Sequence, residues 1–413
     1  MPKQTPFHNS LAPYLETGIW KHWSGYLVAD RYQYSTIAEY YAIRNSVGVL
    51  DTSPLFKYRI TGSDALSFLQ KGLARDIAQC RVGAAQYTCW CDPDGFVLQD
   101  GVVLRVAESE FWLTAGEPSL HYFRSLADQF GFSELKVEDL SDAYGILAVQ
   151  GPHAHNVISQ LTNAADAMKY FELAQTEIES CPIVLSRTGY TGDLGYELWI
   201  RVEDAERVWR ALMEAGQGYN IIPIGLFALK MARVEAGLLL LDVDFHSSRF
   251  AWVDEQRETP VELGWNWMFR KLAEDSREFV GRAAIEKQLQ EKSNRWTTVG
   301  LSVDWYSYEA AYLDSGIMPP KFELYCESTY NIYRRSEVEW DYAGYASSFL
   351  FSPMLKKPIA IAKLPNDLAK PGTEVELEIQ VIRKNKNVLA RVERLPFFNP
   401  ARKTQLPTAR AAQ

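Results

Sequence analysis

Three glycines spaced three residues apart, followed at once by a strict alternation of residue type, constrain this chain more than any other stretch. Gly189, Gly192 and Gly195 lie in the segment 185–202, which is otherwise rich in threonine and aromatic residues. Glycine at this density indicates a tight turn whose backbone comes close to something flat. After Gly195 the pattern has a period of two, which predicts a β-strand with one face toward a core and Glu197 on the other face.

Glu197 is therefore a carboxylate at the start of a strand, and two interpretations of it remain open. In the first, the stretch is an ordinary hairpin and Glu197 is a solvated side chain. In the second, the stretch is the wall of a cleft that recognises a planar ligand, because one carboxylate can accept two parallel hydrogen bonds from paired N–H donors.

The same stretch carries a family resemblance. Its order Arg-Thr-Gly-Tyr-Thr-Gly-x-x-Gly-Tyr-Glu resembles the signature of the glycine-cleavage T-protein (aminomethyltransferase) family of tetrahydrofolate enzymes. In that family the Glu holds the pterin ring, so the resemblance implies that Glu197 anchors the pterin and that Tyr190 lines the folate cavity. The resemblance extends from Thr5 to Pro400. It implies an α+β fold with three domains around a central folate cavity: a discontinuous folate-binding domain (1–50 and 141–270), an α/β domain (51–140) and a C-terminal β-barrel (285–404).

A second acid is notable in the block 85–104, where two predicted strands flank the turn Asp92-Pro93-Asp94-Gly95. Asp100 has apolar neighbours on the return strand, so an inward-facing side chain would have a raised pKa unless a hydrogen bond or a cation stabilised its charge. An acid that works in a cleft and an acid that caps the Gly101 turn both fit this position. The resemblance favours the first, because the family has an acid here that works beside N5 of the folate. Gln99 replaces a second acid of the family pattern.

The resemblance implies further contacts with the cofactor. Leu55 stands in a turn that touches the folate, where the family usually has Met, and Trp112 takes a place where Tyr is frequent. Arg233 retains the second of two family arginines. Besides Glu197 and Tyr190, the residues implied to bind tetrahydrofolate are Tyr87, Leu55, Trp112, Trp267 and Arg233, with Asp100 as the catalytic residue.

The chain also departs from the family pattern. Gly116 lies where the T-protein has an Asn that contacts substrate or folate, and Leu229 replaces the first arginine. The segment 238–260 is longer than in the T-protein. Within it, Asp244 and His246 could form an acid and base pair, or they could belong to a surface loop held by Ser and Asp turns.

These departures from the family pattern influence which one-carbon donor we expect. A pocket that has lost an Asn side chain and a guanidinium should be roomier and less cationic, which favours a neutral methylated donor. We therefore expect a tetrahydrofolate-dependent one-carbon transferase that moves a methyl or aminomethyl-derived group from a small donor to N5, as demethylases of the family do. One alternative is the aminomethyltransferase of the glycine cleavage system, which would use a lipoyl carrier protein. Another is a non-catalytic folate-binding protein, although the iron-sulfur maintenance members have a Cys at the signature turn and this chain has none there.

Composition limits the other partners. The net charge is -9 and the pI about 5.4, which argues against a nucleic-acid partner. The 5 cysteines make an odd count without a repeated spacing, so reduced thiols are the simplest account, and the pair at Cys89 and Cys91 lacks the second pair that a zinc site needs. No apolar run approaches the ~18 residues of a membrane span, and no signal peptide is evident. We expect a cytoplasmic protein without a metal site or a membrane partner.

A chain of 413 residues should divide into two or three packed units. Residue periodicity predicts their elements. The predicted helices are 35–44, 63–71, 118–132 and 204–215, and the predicted strands are 57–60, 111–113, 143–149, 297–303, 374–380 and 388–392, the last two joined by a turn at 383–386.

Overall fold

The structure is a computed structural model that describes residues 2–274, 276–320, 325–335 and 341–405. The strands of these residues are β1 (Lys3–Gln4), β2 (Trp20–Trp23), β3 (Tyr26–Ala29), β4 (Gly48–Asp51), β5 (Phe56–Thr61), β6 (Ala84–Cys91), β7 (Val97–Ala107), β8 (Glu110–Ala115), β9 (Lys136–Asp139), β10 (Tyr144–Gln150), β11 (Leu173–Ile178), β12 (Cys181–Ser186), β13 (Gly195–Arg201), β14 (Ile222–Pro223), β15 (Thr297–Val303), β16 (Tyr330–Arg334), β17 (Tyr342–Ser352), β18 (Lys357–Leu364), β19 (Glu374–Val381) and β20 (Lys384–Glu393). The α-helices are α1 (His8–Leu11), α2 (Thr36–Asn45), α3 (Ala65–Gly72), α4 (Leu120–Phe130), α5 (Ala154–Ile158), α6 (Ala205–Gly216), α7 (Leu226–Glu235), α8 (Arg282–Glu291) and α9 (Trp305–Leu313).

The signature strand β13 lies inside a six-stranded sheet of order β11-β12-β13-β10-β4-β14. Tyr196, Leu198 and Ile200 are fully buried on one face, as the alternation predicts. Trp199 on the opposite face is also buried, because that face packs against residues of β6, β7 and β8 rather than facing solvent. Val202, which continues the same alternation in the sequence, lies beyond the strand and is exposed.

A five-stranded sheet of order β6-β7-β8-β5-β9 forms the second layer of the molecule. The hairpin β6–β7 turns at Asp92–Gly95, as predicted, and it places Cys89 opposite Asp100. Because Asp100 and Gly101 lie inside β7, the interpretation of Asp100 as the cap of a turn is wrong. Helices α3 and α4 cover the other face of this sheet with apolar side chains.

The C-terminal part forms a closed barrel of order β15-β18-β17-β16-β19-β20, which confirms the predicted β-barrel and the α+β class. The predicted helices and strands are present with ends that differ by one or a few residues. The turn after β19 is shorter than expected: Val381 pairs with Lys384, so only Ile382 and Arg383 form it, both with positive φ. Such a two-residue turn follows the right-handed twist of its strands, so Lys384 already belongs to β20.

The end of the described chain returns from the barrel to the signature stretch. Arg402 forms two hydrogen bonds to the Asp193 carboxylate, at 2.6 and 2.8 Å. Arg187 donates to the backbone carbonyls of Arg402 and Lys403 at 3.3 Å. The signature Arg187 thus fixes the C-terminal segment beside the strand that carries Glu197, and Lys403 lies on the wall of the cavity described next.

Candidate active site

A cavity of about 1600 Å³ lies where the six-stranded sheet, the five-stranded sheet, helix α7 and the barrel meet. A volume of this order accommodates a ligand larger than a typical metabolite. Six of the predicted site residues line it together: Asp100, Glu197, Tyr190, Tyr87, Leu55 and Trp267. Residues far apart in the chain therefore share one site, as the resemblance implies.

Asp100 presents its carboxylate to this cavity from the middle of β7. The Tyr87 hydroxyl donates a hydrogen bond to Asp100 Oδ2 at 2.8 Å. Burial raises the pKa of Asp100 to about 6, and the hydrogen bond from Tyr87 offsets part of that rise. The carboxylate therefore changes its charge close to neutral pH, which suits a group that handles a proton or a developing charge.

Aromatic rings form a flat wall beside Asp100. The rings of Tyr87 and Trp267 are stacked with centroids 6.3 Å apart, and Trp265 meets Tyr87 edge to face at 5.7 Å. The Arg75 guanidinium lies 4.9 Å from the centre of a Trp267 ring and donates to the Tyr87 carbonyl at 3.0 Å. Arg75 thereby fixes two of the three rings, and the wall is preorganised for a planar ligand.

Glu197 lines the cavity from near the start of β13. The Thr188 hydroxyl donates to Glu197 Oε2, and Thr188 Oγ1 lies 2.7 Å from Ser186 Oγ. Because a Thr hydroxyl has one proton, Ser186 must be the donor in the second hydrogen bond. Burial raises the pKa of Glu197, and the bond from Thr188 opposes the rise. Among the described residues no other protein group donates to this carboxylate, so its remaining acceptor positions are open to a ligand.

The signature glycines are needed for a close approach within the protein. A Cβ atom on Gly189 or on Gly195 would overlap the side-chain amide of Gln150 at the end of β10. Thr191 Oγ1 donates to Gln150 Oε1 at 2.8 Å, which holds that amide between the two glycines. The flat group that the glycines admit is therefore the Gln150 amide, and the packing it allows sets the position of Glu197 two residues after Gly195.

Tyr190 joins the signature turn to the segment that follows α7. Its hydroxyl donates to the Leu239 carbonyl, and its side chain lines the cavity. The segment 236–243 lines the same cavity along its whole length. Tyr190 thus lines the cavity and also fixes the adjacent segment 236–243 through its hydrogen bond.

Two predicted contact residues do not line the cavity. Trp112 packs against Trp199, with ring centroids 5.5 Å apart, and its Nε1 donates to Glu110 at 2.9 Å. Arg233 is fully buried in α7 and forms an ion pair with Asp244. Both side chains lie behind the residues that line the cavity in the described structure. A direct contact of Trp112 or Arg233 with folate therefore stays a prediction.

The two departures from the family both line the cavity. Gly116 and Leu229 both border the cavity, and so does Lys230, the next residue of α7. Lys230 forms an ion pair with Glu327, which also lines the cavity. Because Leu229 and Lys230 occupy successive positions of one helix, the loss of the family arginine does not remove all positive charge from this wall. The expectation that this pocket is less cationic than that of the T-protein stays a prediction.

The structure of the segment 238–260 distinguishes the two interpretations of Asp244 and His246, an acid and base pair or part of a surface loop. The Asp244 side chain is completely buried with Arg233, whereas His246 is half exposed and lies 3.7 Å from Asp242. A hydrogen bond to Asp242 raises the pKa of His246. Asp244 and His246 therefore have different partners, which disfavours an acid and base pair between them. The loop interpretation is right for His246, whereas Asp244 is an interior anchor.

Some residues of the site were missed by sequence reasoning. Trp265 and Trp199 line the cavity, and Thr188 donates a hydrogen bond to Glu197. The alternation of β13 places Trp199 on the same face as Glu197, so the sequence pattern could have predicted that Trp199 lines the cavity. Lys230 adjoins Leu229 in α7, but only the packing of that helix shows that both residues border the cavity.

The structure also bears on metal binding, thiol chemistry and membrane insertion. Among the residues that the structure describes, no group of three or more His, Cys, Asp and Glu side chains is placed to hold a metal ion. The five cysteines are present as free thiols. Within the same ranges, no helix combines the length and the apolar character needed to cross a bilayer.

Comparison with known proteins agrees with this architecture. Residues 7–271 match the family model of the GCVT N-terminal domain, and residues 318–399 match that of the glycine cleavage T-protein C-terminal barrel domain. The solved structure of the glycine cleavage system aminomethyltransferase T from Bartonella henselae superposes with a TM-score of 0.79 at 23% identity, covering 97% of this chain and 99% of that one.

Curated relatives carry two kinds of name. The chain is 30% identical over 397 residues to an aminomethyltransferase of Exiguobacterium sibiricum, which covers 96% of this chain and 97% of that protein. It is 28% identical over 369 residues to that of Bacillus subtilis, covering 89% and 92%. It is also 30% identical over 388 residues to a trimethylamine-oxide aldolase of Ruegeria pomeroyi, covering 91% of this chain but 45% of that protein. With one family model matching more than half of its length, the chain belongs to the glycine-cleavage T-protein (aminomethyltransferase) family of folate-dependent one-carbon transferases.

Proposed function

We propose that the cavity binds tetrahydrofolate with its pterin ring against Glu197 and transfers a one-carbon unit to N5 beside Asp100. The observation that carries this proposal is the presence of these two carboxylates in one cavity, on strands of two different sheets. Their roles differ because their partners differ: Thr188 orients Glu197, whereas Tyr87 holds an Asp100 whose pKa is near 6.

The residues of the chain fit the needs of such a ligand. The open acceptor positions of Glu197 suit the paired N–H donors of a pterin, which one carboxylate can bind together. The stacked pair of Tyr87 and Trp267 supplies a flat wall that excludes water. Asp100 stabilises positive charge that develops at N5, or accepts the proton that N5 loses. Holding both reactants in line contributes by lowering the entropy cost of their encounter.

The names of the relatives favour an aminomethyl donor. The aminomethyltransferases match along almost the whole of both chains, whereas the trimethylamine-oxide aldolase matches over less than half of its own length. In aminomethyl transfer the donor carbon loses its bonds to sulfur and to nitrogen and gains bonds to N5 and N10. The two protons released from N5 and N10 go to the thiol and to ammonia. This candidate replaces the demethylase-like one as the first choice, and it would bring a lipoyl carrier protein as partner.

Methyl transfer from a small donor is the second candidate, and a specific observation supports it. Leu229 and Gly116 stand on the cavity wall where the family has an arginine and an Asn, so two polar contacts of the aminomethyl reaction are replaced. Product analysis separates the candidates. Purified protein is incubated with tetrahydrofolate and either aminomethyl-lipoyl carrier protein or a panel of O-, S- and N-methyl compounds. Formation of 5,10-methylenetetrahydrofolate supports the first candidate and 5-methyltetrahydrofolate the second, while neither product, with the Asp100→Asn variant as a control, would contradict the proposal.

A further inference from the structure

A half-buried guanidinium, that of Arg75, lies on the cavity wall without a carboxylate partner. Its Nη1 donates to the Tyr87 carbonyl at 3.0 Å, and in the described part of the chain the guanidinium forms no other hydrogen bond and no ion pair. Burial lowers the pKa of Arg75, because the charged form loses part of its hydration. Removing a charge from water is costly unless a partner compensates it. The wall therefore holds a cation for which the described protein residues supply no counter-ion.

The other Lys and Arg side chains of the described wall are placed differently. Lys230 forms an ion pair with Glu327, which also lines the cavity. Arg394 is exposed, so water stabilises its charge. Lys403 is half-buried, but an ammonium lacks the planar fork of donors that matches a carboxylate. Arg75 thus combines partial burial, an uncompensated charge and the fork.

The backbone that carries Arg75 is fixed on both sides. Its N–H donates to Thr88 Oγ1 at 3.3 Å, and its carbonyl accepts from Arg277 Nη1 at 3.0 Å. The same Arg277 guanidinium donates to the carbonyls of Leu73 at 3.0 Å and of Ala74 at 2.8 Å. A second arginine therefore holds the segment that presents Arg75 to the cavity. Such support is what a preorganised binding group requires.

Tyr87 connects Arg75 with the acid on β7. The Tyr87 carbonyl accepts the hydrogen bond from Arg75, and its hydroxyl donates to Asp100 at 2.8 Å. The guanidinium and the carboxylate are therefore placed at opposite ends of one residue. The Arg75 guanidinium also lies 4.9 Å from the centre of a Trp267 ring, which stacks on Tyr87. A ligand that lies along these rings with its reacting atom at Asp100 can extend a charged group to Arg75.

The donors that Arg75 has left define the ligand group. Because Nη1 is used by Tyr87, Nε and Nη2 remain along the other edge of the guanidinium, and two such donors match the two oxygens of a carboxylate. We propose that Arg75 is a ligand-binding residue that pairs through this edge with a carboxylate of a bound reactant. The inference rests on the proposed function, which supplies the reactants.

Two reactants can supply this carboxylate. Tetrahydrofolate carries two carboxylates in its glutamate tail, and a small acidic one-carbon donor carries one. The aminomethyl-lipoyl arm has none, so with that donor the folate tail is the partner of Arg75. Since the names of the relatives favour an aminomethyl donor, we expect the tail to be the group that Arg75 binds.

A matched pair of ligands tests the folate tail. The dissociation constants of tetrahydrofolate and of its dimethyl ester, in which both carboxylates are neutral, are measured by calorimetry. Arg75→Met should raise the dissociation constant of tetrahydrofolate at least tenfold, because a charge-assisted contact is lost. For the dimethyl ester the same variant should change it less than twofold. A variant that only disturbed the aromatic wall would weaken both ligands alike.

A second pair tests the acidic donor. Methoxyacetate, an O-methyl acid, and its methyl ester are titrated into protein saturated with tetrahydrofolate. If the donor supplies the carboxylate, Arg75→Met weakens methoxyacetate at least tenfold and leaves its ester and tetrahydrofolate within twofold of the parent.

Two further variants serve as controls. Arg75→Lys keeps the charge but loses the fork, so its effect on the acid should lie between those of the parent and Arg75→Met. Arg257→Met removes a guanidinium that lies 5.7 Å from the Phe96 ring centre, away from the described cavity wall, and should leave every ligand unaffected. Thermal melting of each variant excludes loss of fold as the cause.

The outcomes separate this inference from the proposed function. Equal losses for an acid and its ester in Arg75→Met, or unchanged binding of both acids, overturn the role of Arg75 alone. Parent protein that binds tetrahydrofolate through Arg75 but forms neither 5,10-methylenetetrahydrofolate nor 5-methyltetrahydrofolate overturns the transfer and leaves the carboxylate site standing. Parent protein that binds neither acid overturns both.

Discussion

The Tyr87 hydroxyl donates a hydrogen bond to the Asp100 carboxylate at 2.8 Å, between adjacent strands of one sheet. The two side chains lie on one face because Tyr87 is two residues from Cys89, the register partner of Asp100. Burial raises the pKa of Asp100 to about 6, so this environment sets the pH at which Asp100 becomes negatively charged. Three predictions depend on it.

Asp100→Asn should separate binding from chemistry. The amide can still accept the hydrogen bond from Tyr87 but has no charge to stabilise N5. We expect the rate of single-turnover transfer to fall ~10²- to 10³-fold while the affinity for tetrahydrofolate changes little. Asp94→Asn, a change of an exposed acid in the preceding turn, is the matched control. Equal rates for Asp100→Asn and the parent protein would make Asp100 a structural acid.

The activity should depend on pH through the same carboxylate. Asp100 must be ionised to stabilise positive charge at N5, and its pKa is about 6. We therefore expect kcat/KM to rise as the pH is raised through about 6 rather than through the ordinary aspartate range. A profile measured from pH 4.5 to 8.5 checks this, and a flat profile over pH 5 to 7 would contradict it.

The stability of the protein should show the opposite trend. The folded pKa of about 6 lies above the ordinary value of 3.8, so the folded state binds a proton more readily than the unfolded state. Raising the pH from 4 to 7 therefore removes stability at this site, and Asp100→Asn should restore it. At pH 7 we expect the variant to have a free energy of unfolding higher by about 1 to 3 kcal/mol, a difference that shrinks toward zero near pH 4. Denaturant unfolding at the two pH values measures it.

Glu197→Ala should weaken the binding of tetrahydrofolate by ~2 kcal/mol or more, because a charge-assisted, bidentate contact is lost. Thr188→Val removes the hydroxyl that orients Glu197 but leaves its charge, so a smaller loss is expected from that variant. Titration calorimetry on folded protein compares the two. If Glu197→Ala binds as tightly as the parent, the pterin lies elsewhere in the cavity.

Arg233 and Asp244 form a completely buried ion pair, and breaking it should destabilise the protein. Asp244→Asn leaves an uncompensated guanidinium in the interior, for which ~3 to 5 kcal/mol is expected. The double variant Asp244→Asn with Arg233→Met removes both charges and should recover part of that loss. Unfolding in urea measures both effects. If Arg233→Met instead keeps full stability and loses folate affinity, Arg233 contacts the ligand directly, as the family resemblance predicts.

The sequence could predict the elements of this fold because its local signals agree with the global structure. The alternation in β13, the turn at Asp92–Gly95 and the strands of the barrel are all visible as residue periodicity and turn chemistry. The order of residues in the signature also pointed to Glu197 as a ligand-binding carboxylate. The resemblance of the block 85–104 to the family pattern pointed to Asp100 as the catalytic acid. Both residues line the cavity.

Contacts between distant segments could not be read in the same way. Arg233 carries the same residue type whether it faces a ligand or Asp244, and the choice depends on how α7 packs against the barrel. Likewise, only the folded chain shows that Leu241 lies at van der Waals distance from position 116. The sequence alone determined the family, the class of fold and the two carboxylates, since each depends on local pattern. The tertiary structure decided which neighbours surround them, because burial and the partner of a charged group are set by segments that meet only after the two large sheets and the barrel have packed.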